Sequence, residues 1–401
     1  MFQKFYYLNI LLAVLLILIV LGLQQFFVRY FRQNGEKIRL RIAIRTEQQR
    51  AALQQFFPNH SRLDQATSIE LTTGWPEFFR LQEAGLNPEI IIEMEQQELI
   101  APQWPTLAAI DSIMQLRKTQ DTLCCQVLKI GESAGFQLPL YCVRITDFLS
   151  PELGKRSVLF TAGHHGNEPL GVAICLHLID SLCKGYARHD LVREWLKKVD
   201  IFVVPLVNPD GYRLVREERK GLVWRKNLRD NDGDGRFSPR IDGVDLNRNY
   251  GPGGEQVPGS HFYAGPVPFS EPETQGIRDL AQRQRFLAHL DFHSAGEVVL
   301  YPISHQREGS QADPMGQLAN ALAQQIKKRN GFGHYRVAPL DQTVGQCSIW
   351  MHRKLGVKSF IIEAGDSYFP AGDEIDELVK ANASAAFWLL EQVATGRLDD
   401  K

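Results

Sequence analysis

Strand-like apolar runs alternate with helical segments along most of this 401-residue sequence. The run at 201–207 is apolar at every position, as expected where helices cover both faces of a sheet. Strand-like runs occupy residues 126–130, 139–145, 157–162, 200–207, 286–292, 297–301 and 358–363, and helical segments occupy residues 170–183, 271–283, 314–328 and 373–390. The pattern predicts an α/β fold over residues 105–395, with a large mixed sheet packed between helices.

The N-terminus contains an uncharged run of 24 residues, 5–28. A helix of that length reaches roughly 36 Å at about 1.5 Å per residue, enough to span the hydrocarbon core of a bilayer. Signal peptides end in a small-residue cleavage site, and none follows this run. We therefore predict a retained transmembrane anchor and a single-pass membrane protein.

Two features disagree about the orientation of this anchor. Lys4 precedes the run and Arg29 and Arg32 follow it, and an excess of basic residues after the run favours a body in the cytosol. The very short N-terminal tail resembles a signal anchor that exports the body. We expect an extracytoplasmic body and leave the orientation open.

Residues 38–100 have the pattern of a smaller unit. Strand-like runs at 38–44, 68–72 and 89–94 alternate with helical spacing at 46–57 and 75–84. This order predicts a small α+β domain, which the proline-bounded segment 101–105 separates from the rest. The formal net charge of −1 gives no indication of a nucleic-acid partner, and the six cysteines are too few for a disulfide scaffold.

Candidate metal ligands stand at the ends of predicted strands. His165 and Glu168 lie in a turn between a strand and Pro169, and His293 ends a second apolar strand. Two histidines and one carboxylate, with an open position for water, form a common catalytic zinc set. The His-x-x-Glu spacing alone is more often a polar turn. His289 and Asp291 share the strand face of His293, as core residues or partners of a ligand.

Other polar side chains suit catalysis beside such a metal. Glu363 ends a strongly apolar strand, where a carboxylate without a partner is costly; a general base or a solvent-facing strand end would each explain it. Arg225 and Arg248 are candidates for binding an oxyanion or a carboxylate, although solvated arginines are common.

Taken in order along the chain, these segments resemble the carboxypeptidase A-like zinc carboxypeptidases over residues 105–392. The resemblance includes the motifs at 165–168, 208–212, 224–226, 244–249 and 268–274, and the separation between Glu168 and His293. It implies the zinc carboxypeptidase fold, with a mixed eight-stranded sheet. The implied function is hydrolysis of the C-terminal bond of peptides by a metal-activated water.

The resemblance assigns roles residue by residue. It implies Zn2+ held by His165, Glu168 and His293, with Glu363 as the general base and Arg225 binding the oxyanion. Asn247 and Arg248 would hold the free C-terminal carboxylate of a peptide substrate. The domain at 38–100 resembles a propeptide, and a permanent spacer between membrane and enzyme explains it equally well.

Some positions depart from the family pattern. Asn167 replaces a usual arginine, Ala295 replaces a usual aromatic residue, and no tyrosine stands at 341–345 to cap the substrate. Two other functions stay open: a peptidoglycan-peptide amidase or deacylase on the same fold, and a catalytically inactive peptide-binding homologue.

A separate acidic segment is a candidate calcium loop. Asp230, Asp232 and Asp234 have the spacing of the first half of an EF-hand, so Ca2+ is a second candidate ion. The twelfth position is Ile241 rather than glutamate, and an Asp/Gly-rich turn is the simpler explanation.

Overall fold

A computed structural model describes residues 37–44, 46–57, 68–74, 81, 86, 88–91, 104–150, 154–218, 224–303, 313–329, 331–340, 345–370 and 372–398. Contacts divide the chain into two compact units, residues 1–93 and 94–401. The predicted anchor at 5–28 lies outside the described residues.

The first unit contains a three-stranded antiparallel sheet with the order β2-β1-β3. Its strands are β1 (Lys37–Ala43), β2 (Ser68–Gly74) and β3 (Pro88–Ile91), and its helix is α1 (Glu47–Phe56). Ile42, Leu53 and Ile69 pack together in its core. The helix predicted at 75–84 lies outside the described residues except for Leu81. A role as propeptide or spacer stays a prediction.

The second unit is built around an eight-stranded mixed sheet with the order β10-β9-β11-β8-β6-β7-β5-β4. Its strands are β4 (Cys125–Glu132), β5 (Pro139–Ile145), β6 (Arg156–Ala162), β7 (Val199–Val204), β8 (Ala288–His293), β9 (Val298–Tyr301), β10 (Arg336–Pro339) and β11 (Lys358–Glu363). The central strands β11, β8, β6 and β7 are parallel, whereas β4 and β5 form an antiparallel edge. The predicted mixed sheet is confirmed.

Helices pack on both faces of this sheet. They are α2 (Leu107–Gln120), α3 (Pro169–Arg188), α4 (Asp190–Lys198), α5 (Pro209–Arg213), α6 (Pro272–Gln284), α7 (Pro314–Ala323), α8 (Cys347–Leu355) and α9 (Ile375–Ala394). Neighbouring residues of β6 enter different cores, Phe160 on one face and Leu159 on the other. The continuous apolar runs arise because every side chain of such a strand is buried.

Some predicted boundaries differ from the structure for local reasons. The strand expected at 200–207 ends at Val204, because Pro205 has no N–H to donate to the ladder. The helix expected at 314–328 ends at Ala323. Helices α2, α4 and α8 and the short strand β10 were not predicted from the pattern.

Helix α3 is long and apolar enough to cross a membrane, and no other helix in the described ranges passes that test. Most of its residues are buried. Leu170, Ile174 and Leu178 belong to the same core as the β6 and β8 side chains. The apolar character of α3 is therefore that of a core helix.

A glycine allows α3 to lie close to β8. A Cβ atom at Gly171 would lie 2.5 Å from the carbonyl oxygen of Phe292, a backbone atom. No side chain can turn aside to relieve that contact. Because Phe292 directly precedes His293, the position of α3 is coupled to the end of β8.

We predict that Gly171→Ala lowers the free energy of unfolding by about 1–3 kcal/mol. The loss should appear even though alanine favours a helix over glycine by about 1 kcal/mol. Denaturant unfolding measures it, with Gly131→Ala as control, since a Cβ there meets its nearest atom at 3.6 Å. Equal stability of the two variants would contradict a tight contact at Gly171.

Candidate metal centre and active site

The polar residues expected at the strand ends meet at one edge of the sheet. Strands β6, β8 and β11 are parallel, so their carboxyl ends lie at the same edge. His165 follows β6, His293 ends β8 and Glu363 ends β11. Glu168 is the N-cap residue of α3, directly before Pro169. Donor atoms of His165, Glu168 and His293 all lie within 4.8 Å of one another.

The three candidate ligands form a tight, buried triangle. His165 Nδ1 lies 2.8 Å from Glu168 Oε1, and His293 Nδ1 lies 2.9 Å from Glu168 Oε2. The two Nδ1 atoms are 3.1 Å apart. Each of the three residues is only 2% exposed. The outer nitrogen of each imidazole faces an aspartate, Asp245 at 3.3 Å for His165 and Asp291 at 3.0 Å for His293.

These donors fit a zinc ion. Zinc–nitrogen bonds of about 2.0–2.1 Å in a tetrahedron separate neighbouring ligand atoms by about 3.3 Å, close to the observed separations. Two ring nitrogens at 3.1 Å cannot both carry a hydrogen, so at least one of them presents a lone pair that a cation between the rings could use. Burial lowers the pKa of His165, which favours the neutral imidazole that binds metals, whereas the charges of Asp291 and Glu168 raise the pKa of His293 against the effect of burial.

Glu363 stands beside the candidate ligands by strand register. In the parallel pair of β8 and β11, Glu363 is the partner of His293. Within the described ranges its carboxylate makes no hydrogen bond or ion pair. Burial raises the pKa of Glu363 to about 7, against the opposing effect of His293. The carboxylate is therefore poised to exchange a proton near neutral pH.

Arg225 is held against the same centre by two carboxylates. Its Nε donates to Asp245 Oδ2 at 2.8 Å, and its terminal nitrogen lies 3.6 Å from Glu168 Oε1. Asp245 thus contacts both His165 and Arg225. The shared aspartate fixes the spacing between a candidate metal ligand and a candidate oxyanion donor.

Asn247 and Arg248 follow on a short turn after Asp245. Asn247 Oδ1 accepts from the backbone nitrogen of Cys347 at 2.9 Å, and its Nδ2 lies 3.3 Å from His293 Nε2. The Arg248 guanidinium donates to the carbonyl of Asn247 at 2.8 Å and forms no ion pair in the described part of the chain. It is therefore available to an incoming carboxylate.

An aromatic ring lies against both arginines. The guanidinium carbons of Arg225 and Arg248 are 5.5 and 5.3 Å from the centroid of Phe262. Cation–π contacts of this length are favourable. Phe262 therefore gives both guanidinium groups a common neutral neighbour.

The amino-acid sequence matches one protein family over most of its length. The model of the zinc carboxypeptidase family matches residues 110–385, well over half of the chain. The chain belongs to the zinc carboxypeptidase family.

Curated relatives agree with this membership. Carboxypeptidase A2 of Rattus norvegicus is 26% identical over 304 residues, 70% of each chain. Carboxypeptidase A4 of Mus musculus is 30% identical over 226 residues, 54% of this chain and 51% of the relative. An inactive metallocarboxypeptidase, ECM14 of Uncinocarpus reesii, is 26% identical over 275 residues, 64% of this chain and 46% of the relative. The last two matches span about half the length of those relatives.

Solved structures show the same fold. Carboxypeptidase A from Helicoverpa armigera superimposes with a TM-score of 0.67 at 19% identity, over 90% of this chain and 98% of that one. Thrombin-activatable fibrinolysis inhibitor gives a TM-score of 0.66 at 18% identity, over 91% and 100%. At this identity the likeness supports the carboxypeptidase fold alone.

Three residues at the centre, Asp245, Phe262 and Tyr368, were not assigned a role from the sequence. Asp245 contacts Arg225, and Phe262 contacts Arg225 and Arg248. Asp291, expected from the sequence as a core residue or the partner of a ligand, contacts His293. Burial raises the pKa of Tyr368, and the charges of Glu168, Arg225 and Glu363 act on the same phenol. Asp245 lies within a motif that carried the resemblance, and Asp291 shares a strand face with His293. No sequence signal pointed to Phe262 or Tyr368.

The acidic loop lies apart from these ligands, on the surface. Carboxylate oxygens of Asp230, Asp232 and Asp234 lie within 4.8 Å of one another and are exposed. Asp230 already accepts from the backbone nitrogens of Gly233 at 2.7 Å and Gly235 at 2.9 Å. An Asp/Gly-rich turn accounts for this arrangement, and a calcium ion stays a prediction.

One asparagine joins the loops that carry His165 and Arg225. Asn208 Nδ2 donates to the carbonyls of His164 at 3.1 Å and Arg225 at 3.3 Å, while its Oδ1 caps Gly211 N at 2.8 Å. The backbones also meet directly, because Gly166 N donates to the Arg225 carbonyl at 3.1 Å. A buried amide therefore ties the loop of the candidate ligand His165 to the loop of Arg225.

We predict that Asn208→Ala lowers the free energy of unfolding by about 2–3 kcal/mol, since each buried hydrogen bond contributes about 1 kcal/mol. Denaturant unfolding is the measurement. Asn231→Ala is the matched control, because Asn231 Nδ2 also donates to two carbonyls, those of Ile241 and Gly243. These bonds lie near the surface, where water can replace the lost amide. A loss at Asn208 no larger than at Asn231 would contradict the bridging role.

Proposed function

We propose that this chain is a catalytically active zinc metallocarboxypeptidase that removes the C-terminal residue of peptides. The observation that carries the proposal is the buried triangle of His165, Glu168 and His293 with Glu363 in register on the next strand. Two histidines and a carboxylate leave an open position for a reacting group. The proposed base, Glu363, ends the strand next to the one that ends in His293.

Zinc, when bound, supplies a Lewis acid and lowers the pKa of water at the open position. Glu363 accepts a proton from the attacking water as the oxygen bonds to the scissile carbonyl carbon. As the carbon–nitrogen bond breaks, the same residue passes this proton to the leaving amine. The raised pKa of Glu363 suits a group that takes and returns one proton near neutral pH.

Arg225 binds the negative charge that develops on the carbonyl oxygen. Asp245 holds its Nε at 2.8 Å, so the guanidinium is oriented before the substrate arrives. Donors fixed in advance stabilise a transition state without reorganisation. The same ion pair keeps Arg225 within 3.6 Å of a candidate zinc ligand.

Asn247 and Arg248 hold the free C-terminal carboxylate of the substrate. Both lie within three residues of Asp245 on one turn, so the carboxylate site and the oxyanion site have a fixed separation. That separation places the last peptide bond at the metal. A carboxylate site of this kind supports a substrate with a free C-terminus, although the substrate of a peptidoglycan-peptide amidase carries a free carboxylate as well.

An inactive peptide-binding role is the main alternative of another class. One relative is named an inactive metallocarboxypeptidase. The residues proposed for metal binding, proton transfer and oxyanion binding are all present in this chain, which supports activity.

The membrane anchor at 5–28 and export of the body are also proposed, from the sequence alone.

We predict that Glu363→Gln lowers kcat by about 10²–10⁴-fold while the bound zinc stays equal to that of the wild type. Peptide hydrolysis and metal content by atomic absorption are measured on the same preparations, with and without a chelator. Exposed Glu377→Gln is the control. Activity of Glu363→Gln within tenfold of the wild type would remove Glu363 as the base. A wild type without zinc or chelator sensitivity would overturn the proposed function.

We predict a strong preference for peptides with a free C-terminus over their C-terminal amides. Arg248→Ala should weaken kcat/KM for the free peptide by about 10–100-fold, because a charge-assisted hydrogen bond contributes about 1.5–3 kcal/mol. Arg278→Ala is the matched control, since its guanidinium also lies over a ring, that of Phe269. Preferential cleavage of blocked peptides or acylated amines would instead favour the amidase or deacylase.

A further inference from the structure

Strand β8 carries three polar side chains in a row on one face. His289, Asp291 and His293 occupy alternate positions, which point to the same side of a strand, and they are 0%, 0% and 2% exposed. Buried polar groups are costly unless each finds a hydrogen-bond partner. The hydrogen-bond partners of these three side chains therefore indicate what the row does.

Asp291 accepts from three different side chains. Its Oδ1 lies 2.7 Å from the hydroxyl of Thr161 and 3.1 Å from His164 Nδ1. Its Oδ2 lies 3.0 Å from His293 Nε2. In the described ranges no lysine or arginine forms an ion pair with it. The charge of Asp291 is therefore balanced by hydrogen bonds from a hydroxyl and two imidazoles.

The outer ends of this network fix where its hydrogens lie. Thr161 uses its only hydrogen on Asp291, so it must accept from His289 Nε2, 2.8 Å away. His289 Nδ1 then accepts from the hydroxyl of Ser359 at 2.8 Å. Burial lowers the pKa of His289 to about 4, in agreement with a neutral ring that carries one hydrogen. The His289 arm therefore ends in a neutral, fully bonded side chain.

His164 is oriented in the same way from the opposite side. Its Nδ1 faces the Asp291 carboxylate, which can only accept, so Nδ1 carries the hydrogen. Its Nε2 then accepts from the hydroxyl of Tyr250 at 2.9 Å. The ring of His164 stacks on the ring of His293, with centroids 5.5 Å apart and planes inclined by 16°. Asp291 thus fixes both His293 and the ring that lies against it.

The remaining hydrogen decides which nitrogen of His293 is free. Asn247 Nδ2 lies 3.3 Å from His293 Nε2, so that nitrogen could instead accept from the amide. Its lone pair would then face the Asp291 carboxylate at 3.0 Å, which is unfavourable for a buried anion. His293 Nδ1 also faces a carboxylate oxygen, Glu168 Oε2 at 2.9 Å, but it lies among the candidate ligand atoms, where a bound cation would use its lone pair. With a cation at Nδ1, the hydrogen therefore lies on Nε2.

We infer that Asp291 is a positioning residue for the metal centre, which fixes the tautomer and ring orientation of His293 by accepting its Nε2 hydrogen. The inference rests on the proposed function, in which His293 binds zinc. Carboxylate partners of this kind orient metal-binding histidines and strengthen their donor nitrogen. Asp245 faces the outer nitrogen of His165, so each histidine of the centre has its own aspartate.

Asp291→Asn tests this role with a side chain of the same shape. The amide cannot accept from Thr161, His164 and His293 as the carboxylate does, because one of its two heavy atoms only donates. The zinc dissociation constant should rise by about 10–100-fold, as measured by competition with a fluorescent chelator. The Co2+-substituted variant should also show a shifted visible absorption spectrum. Both readouts are independent of catalysis.

Ser359→Ala is the matched control, because it removes a buried hydrogen bond from the same network without contacting Asp291 or His293. Its zinc affinity should stay within about threefold of the wild type, given that distance from the ligands. Should Asp291→Asn bind zinc as tightly as this control, the positioning role is overturned. A wild type that binds no zinc would overturn the proposed function instead.

A second measurement covers the case in which Asp291→Asn fails to fold. Long-range 1H–15N spectra of the zinc-loaded wild type, labelled at histidine nitrogens, report which ring nitrogen carries hydrogen. His293 should show a protonated Nε2 and an unprotonated Nδ1. A protonated Nδ1 at His293 would contradict the inference without any mutation.

Discussion

Buried negative charge at one edge of the sheet is the constraint on which the centre depends. Glu168, Asp245 and Asp291 are at most 2% exposed, and Arg225 is the guanidinium paired with two of them. Carboxylates are excluded from protein interiors unless they are paired or hydrogen-bonded. Arg225 brings one positive charge to Glu168 and Asp245, so an excess of negative charge is left at the candidate ligands, which a divalent cation would balance. The same charges that make the site costly therefore favour a bound cation.

Close contacts between distant segments of the chain hold the loops that carry these buried carboxylates. Asn208 joins the backbones of the His165 and Arg225 loops, and Gly171 lets α3 lie against the end of β8. Asn249 plays a similar part further out, where its Nδ2 donates to the carbonyls of Ala264 at 2.7 Å and Val267 at 3.0 Å. Asn208 and Asn249 thus have a structural part within the motifs around the centre, since each fixes loops through buried hydrogen bonds.

Much of the fold follows from the sequence because apolar runs reveal strands that are buried on both faces. Polar residues that end such runs, as His293 and Glu363 do, were recognised for the same reason. Short or weakly patterned elements were not recognised. Strand β10, for example, has four residues, too few to show a period. Asp291 could be expected as a partner because it shares a strand face with His293, whereas Asp245 could not be assigned. Asp245 is 80 residues from His165, and only the folded chain shows that its carboxylate faces that ring.

The register between β8 and β11 has a consequence for how this site can change. Glu363 and His293 are paired across adjacent parallel strands, so one interstrand spacing, about 4.8 Å, sets their backbone separation. No loop contributes to that distance. Insertions or exchanges in the long connection between the two strands can therefore change its loops while Glu363 and His293 keep their backbone spacing. Variation of those loops is thereby uncoupled from the separation of the candidate base and the candidate ligand.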